Sequence, residues 1–165
     1  MFANRRYPWL MVAAFAIALF IAAPSRADDT AEVASYKLTE AGLSKYMQAT
    51  RNLVPLGKEL ANCDDDTAMT LDAMVARLDA VPGAGAAIAS AGMTTREYVV
   101  FGWAIVHNGM AAWLADQPDG TLPPDTSPAN VEFYKAHEAA LTEFAEQVDS
   151  DECGDTYDED YDDEN

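Results

Sequence analysis

From Leu43 onward, apolar positions recur in steps of three and four along the chain, with no strand-like alternation. Leu43, Tyr46, Met47, Thr50, Leu53 and Val54 share one face at helical spacing. Thr39 offers the N-cap, with Glu40 and Ala41 in the first turn. Pro55 lacks an amide hydrogen and should kink or split this helix, which Leu56 to Ala61 continue for about another turn. A second stripe, Met69, Leu71, Met74, Val75 and Leu78, follows Asp64, Asp65 and Asp66. Three carboxylates at a helix N-terminus complement its dipole, and Asp66 or Thr67 is the expected cap. A calcium loop is the sharper reading of that run. It lacks the alternating Asp spacing, central Gly and distal Glu that such a loop requires.

Val81-Pro82-Gly83 ends the second helix, and Pro82 is placed to open a short new one over small residues up to Ala91. Gly92 can close it in the left-handed conformation. Thr94 or Thr95 then caps the longest apolar stretch after the first 27 residues, Tyr98 to Leu114, with Glu97 in its first turn. Val99, Trp103, Val106, Met110 and Trp113 form its expected stripe. Gly102 and Gly109 lie on a neighbouring line, where each costs about 1 kcal/mol against Ala. A closely approaching helix backbone would explain them. Pro118, Gly120, Pro123 and Pro124 interrupt any pattern and mark a loop. Ser127 caps the last helix with Pro128 in its first position, and Phe133, Tyr134, His137, Leu141, Phe144 and Val148 make its stripe. The expected fold class is therefore all-α: a compact antiparallel helical bundle of four main helices plus one short helix.

The two ends of the chain follow different patterns. Arg5 and Arg6 precede a 15-residue apolar run, Trp9 to Ala23, and then Pro24-Ser25-Arg26-Ala27 with small residues three and one before a cut. This is the layout of a secretory signal peptide over 1–27. As a helix the run spans about 22 Å, short of the ~30 Å hydrocarbon core. Pro8 and Trp9 suit a twin-arginine signal poorly, and no Cys follows the run to carry a lipid. Residues 28–38 are expected as a flexible lead-in, 39–150 as the bundle, and 151–165 as a disordered acidic tail. The expected compartment is periplasmic or secreted.

Charge narrows the partners. All 28 acidic residues follow position 27, against seven of the ten basic ones, which leaves −21 on residues 28–165. Such a surface repels nucleic-acid phosphates and anionic headgroups. The expectation is no nucleic acid and no stable membrane association after signal cleavage. From Asp149 onward ten of 17 residues are acidic, with Tyr157 and Tyr161 among them. A solubilising tail accounts for that composition. Weak divalent-cation binding and docking to a cationic partner are the functional alternatives.

Cys63 and Cys153 are the only cysteines. An even count in an exported chain favours a disulfide, against two free thiols or pairing between chains. The bond needs the ends of the first and last helices to lie together. That follows if the short helix counts as a pass of its own, so that the helices run up, down, up, down, up.

Candidate chemistry is sparse. His137 sits on the last apolar stripe and His107 beside the preceding one, so the two imidazoles could meet and hold a metal or haem between helices. Met47, Met74 and Met110 are possible soft ligands. No His-x-x-x-His, Cys-x-x-Cys-His or Glu-x-x-His spacing accompanies them. A buried, hydrogen-bonded core histidine and core-filling methionines explain the same residues. No Gly-x-Ser-x-Gly elbow and no phosphate loop occurs, and Glu97, Glu138 and Glu143 fall on exposed lines. No catalytic residue is assigned, and no cofactor is expected.

Gly92-Met93-Thr94-Thr95-Arg96-Glu97-Tyr98-Val99 and Asn130-Val131-Glu132-Phe133-Tyr134-Lys135-Ala136-His137 resemble segments of an uncharacterised group of small exported bacterial helical proteins. The resemblance spans roughly Tyr36 to Val148. It implies an exported helical domain and no activity. The sequence thus points first to a non-catalytic binding or structural accessory. A small metal- or haem-binding bundle is the alternative, and an enzyme of unrecognised chemistry is the third reading.

Overall fold

The computed structural model describes residues 26–60 and 70–148. The expected signal segment up to residue 25, Asp64 to Asp66, both cysteines and the acidic tail lie outside the described residues. Among the described residues the chain is all helix and connection. Six helices of seven residues or more are present: α1 Arg26–Ser35, α2 Glu40–Leu53, α4 Leu71–Ala80, α5 Ala84–Ser90, α6 Thr95–Ala115 and α7 Pro128–Val148. A 3₁₀ turn, Val54–Leu56, and the one-turn α3, Gly57–Leu60, extend α2 past Pro55. The proline splits the helix as its missing N–H requires.

The helix starts follow their caps. Thr39 accepts from Gly42 N at 3.1 Å. Thr94 and Glu97 form a capping box, in which Glu97 N donates to Thr94 Oγ1 at 3.1 Å and Thr94 N donates to Glu97 Oε2 at 2.8 Å. Two bonds from Thr94, backbone first and then side chain, hold the Glu97 carboxyl below its ordinary pKa. Ser127 Oγ accepts weakly from Asn130 N, with Pro128 at the first helical position as expected. Two starts differ from expectation. α4 opens at Leu71 under a Thr70 cap, not at Asp66 or Thr67. α5 opens at Ala84 behind Gly83, whose φ of 92° is open to glycine at little cost, so Pro82 lies before the helix. Gly92 closes that segment with φ 79°, as expected.

The expected lead-in is instead helix α1, and the core holds it. Val33 is buried, and Asp29 Oδ2 accepts from the Leu71 backbone N–H at 3.0 Å. A carboxylate from α1 thus satisfies an orphan amide at the start of α4. Arg96 binds Glu32 of α1 and Asp72 of α4 at 2.5 and 2.6 Å, tying three helices at one end. These bonds, to Glu32 first and then Asp72, raise the guanidinium pKa further. The cluster is two-fifths exposed, so its share of the stability is only about 1 kcal/mol.

The core lies between α2 and α6. Phe101 stacks on Tyr46 with ring centroids 5.1 Å apart and meets Tyr36 edge-on at 5.9 Å. Tyr98 contacts Thr50 while Tyr46 covers Gly102, so α6 runs against α2. Tyr134 lies on Gly109, and Ala111, Ala112 and Val131 pack together, so α7 runs against α6. α7 is therefore parallel to α2. Asn130 bonds at Leu38, His137 meets Glu40, and the Arg51 guanidinium sits 5.0 Å over the Phe144 ring.

The ends of α2 and α7 lie on one side, as the expected parity required, but the route differs. Asn52 bonds to Ala87 and Ser90 while Gly92 approaches Lys45, so α5 also runs against α2. The short helix is not a reversing pass. The expected Cys63–Cys153 disulfide is likewise corrected. No disulfide bond is found between the two cysteines, which both lie outside the described residues.

Gly102 and Gly109 do mark close approaches, made by aromatic rings and not by a helix backbone. A Cβ at Gly109 would sit 2.8 Å from the Tyr134 ring, and one at Gly102 would sit 3.3 Å from Tyr46.

Candidate interaction surface

α6 carries no Asp, Glu, Lys or Arg from Tyr98 to Ala115. A helix apolar on all sides normally sits in a core. α6 meets α1, α2, α4, α5 and α7, yet in its second half it buries only its small side. Ala104, Asn108, Ala111 and Ala112 face inward. The large residues of the expected stripe face out: Val106 is 68% exposed, and Met110 and Trp113 are each 57% exposed. Only Val99 of that stripe is buried, with Trp103 half-buried between them. Tyr134 against Gly109 explains the inversion. The ring needs a side with no Cβ, so α7 claims the glycine and alanine face and the bulky face is left to solvent.

The band runs into a groove. About 610 Å³ of open space lies among the end of α2, the 3₁₀ turn, α4 and the first half of α6. Leu53, Val54, Leu78, Trp103, Val106 and Val148 line it, and Val54 is itself half-exposed. Its base holds the stacked Tyr46 and Tyr98 rings, 5.0 Å apart, with Tyr98 Oη 3.1 Å from Thr50 Oγ1. Arg77 stands at the wall and donates to the Leu60 carbonyl at 2.9 Å.

Burial, and then the neighbouring Tyr98, pushes the Tyr46 phenol up to about 12. Burial also raises Tyr98. A folded-state pKa above the ordinary value of about 10 favours the neutral phenol in the fold. The associated stability is complete below pH ~10 and is lost as pH rises towards ~12, about 2–3 kcal/mol for Tyr46. Absorbance of the phenolates should therefore rise late for these two tyrosines and coincide with loss of helix. Early titration of all tyrosines in folded protein would contradict the buried pair.

The two histidines are not joined by any hydrogen bond. His137 Nδ1 lies 2.7 Å from the Phe133 carbonyl, Nε2 lies 2.8 Å from Glu40 Oε1, and the ring stacks on Phe133 at 4.2 Å. Both ring nitrogens face oxygen atoms, one on its own helix and one on α2. His137 is thus a tie between α7 and the start of α2. His107 Nε2 is buried without a partner, as is the neighbouring Asn108 Oδ1. Met110 is exposed on the outer band, while Met74 lines the groove. Among the described residues, no three His, Cys, Asp or Glu side chains group as a metal site. Glu97, Glu138 and Glu143 are exposed, as their positions implied.

The sequence showed the residues of the band but not that they face out. The available signal was the pair of glycines seven apart, which marks the line that Tyr46 of α2 and Tyr134 of α7 cover.

These features define a small all-α domain with a groove and an uncovered apolar helix face. No family model, curated protein or solved structure matches the chain. Among the described residues, α6 is the one helix long and apolar enough to cross a membrane, and 39% of its apolar window is buried. Packing against five other helices covers one side of it, while Val106, Met110 and Trp113 stay exposed.

Proposed function

We propose that this chain is an exported, non-catalytic accessory domain, periplasmic or secreted, that works by binding another molecule across the α6 band and groove. The observation that carries this reading is the outward placement of Val106, Met110 and Trp113 beside a preformed apolar groove. Contiguous exposed apolar surface of this kind marks interaction sites in soluble proteins. The signal layout of residues 1–27 supports export. A cut at Ala27 would fall in the first turn of α1 and keep the contacts made by Asp29 and Val33.

The mature chain, recovered with Asp28 as its first residue, retains only Trp103 and Trp113, both on the band. Tryptophan emission therefore reports this surface alone. The uncharged fluorophore N-phenyl-1-naphthylamine should bind saturably and quench that emission by energy transfer. The double variant Val106→Asp/Met110→Asp should lose the binding and keep its thermal midpoint, because both side chains are solvent-facing. Absence of binding by the native chain would overturn the reading. Unfolding of the variant would show the band to be core and overturn it as well.

A further inference from the structure

Resting on that binding reading, we propose that the occupant is a basic amphipathic helix of another protein, with apolar residues on one face and Lys or Arg on its flanks. Three observations converge on that chemistry. Trp103, Val106, Met110 and Trp113 follow one another at steps of three, four and three, the seam by which one helix receives another. The seam is about 15 Å long, two to three helical turns, and it continues into the groove.

Charge is the second observation. The seam itself carries no Asp, Glu, Lys or Arg, but it belongs to a chain whose residues 28–165 hold seven basic and 28 acidic side chains. A partner with an apolar stripe and cationic flanks matches the neutral strip and the net charge of the chain, while Arg77 of the groove wall is bonded to the Leu60 carbonyl. The third is where α7 ends. Val148 lines the groove, and ten of the next 17 residues are acidic. The sequence thus attaches a segment carrying ten carboxylates to a residue that lines the apolar site.

The same facts disfavour the other occupants. A second copy would set two chains of −21 against each other. The chain's own acidic C-terminus would have to desolvate carboxylates in an apolar groove. Anionic lipid headgroups would be repelled.

The test uses the mature chain and a synthetic Leu/Lys helix of about 18 residues, ~27 Å long, with Leu at heptad spacing. Its controls are a scrambled isomer of the same composition and a Leu/Glu version. The expected result is saturable one-to-one binding with a blue shift of Trp103 and Trp113 emission. The scramble, the Leu/Glu peptide and the Met110→Asp variant should each bind at least about tenfold more weakly. Removal of residues 149–165 should weaken binding roughly three- to tenfold at low salt and flatten its salt dependence.

Equal binding of the scramble would reduce the effect to net charge and overturn the proposal. Equal binding of the Leu/Glu peptide would overturn it too. So would tighter binding after removal of 149–165, which would identify the tail as occupant. Concentration-dependent dimerisation with the same emission shift would identify a second copy, and the same shift on neutral phosphatidylcholine vesicles would identify a lipid surface. In each case retained binding of N-phenyl-1-naphthylamine leaves the binding reading standing. Loss of both overturns both.

Discussion

Phe101→Ala should destabilise the domain by about 3–5 kcal/mol, the range for removing a buried aromatic ring. Phe101 is the largest fully buried side chain among the described residues. It packs on Tyr46 of α2 and on Tyr36 of the segment between α1 and α2. A Cβ at Gly42 would come within 2.7 Å of its ring, so the α2 backbone passes directly over it. Alanine leaves a cavity bounded by two rings and a helix, none of which can collapse without moving the others. Against the ~5–15 kcal/mol typical of a whole domain, the loss is a large share. Urea unfolding followed by circular dichroism measures it. Phe101→Leu should cost clearly less, because it keeps most of the volume. A loss under about 1 kcal/mol for Phe101→Ala would mean that the ring is not the centre of the α2–α6 contact.

Asn130→Ala should cost about 2–6 kcal/mol, through polar groups and not through volume. Asn130 is buried near the start of α7. Its Oδ1 accepts from the Leu38 N–H at 3.0 Å, and its Nδ2 donates to the Tyr36 carbonyl at 2.7 Å. The amide thereby pairs two backbone groups of the connection between α1 and α2, which belong to neither helix ladder. Removing it leaves a donor and an acceptor without partners in an enclosed place, each worth about 1–3 kcal/mol. Asn130→Asp should also be damaging, since a carboxylate accepts from Leu38 but cannot donate to Tyr36. Hydrogen exchange at the Leu38 amide gives a local readout and should accelerate in both variants. Unchanged protection there would show that the amide bridge does not hold the connection.

His137 and Asn130 show how one helix face divides its labour. Both come from α7 and both meet the beginning of α2, at Glu40 and Leu38. His137 lies within the apolar stripe, which made it a candidate ligand. The structure gives it two oxygen partners instead. Nothing local marks the structural role of Asn130, because a polar residue in a first helical turn is ordinary. Its partners lie more than ninety positions away.

The sequence by itself determined the helices and most of their ends, because these depend on residues within a turn of one another. Thr39, Thr94 with Glu97, Ser127 with Pro128, the split at Pro55 and the left-handed Gly92 all act through bonds or dihedrals spanning at most four positions. It also determined the excess of acid, which is a matter of counting. Tertiary structure decided what distance along the chain conceals. α1 is helical where a lead-in was expected, with its Asp29 and Glu32 meeting partners on α4 and α6 far along the chain. α5 runs in the same sense as α6, because Asn52 and Lys45 of α2 fix both its ends. Above all, periodicity finds the large apolar residues of α6 but not which side of the helix is covered. Tyr134 on Gly109 and Tyr46 on Gly102 decide that, because a ring packs closest where no Cβ intervenes. The core therefore took the small side of the second half of α6, and Val106, Met110 and Trp113 were left facing water.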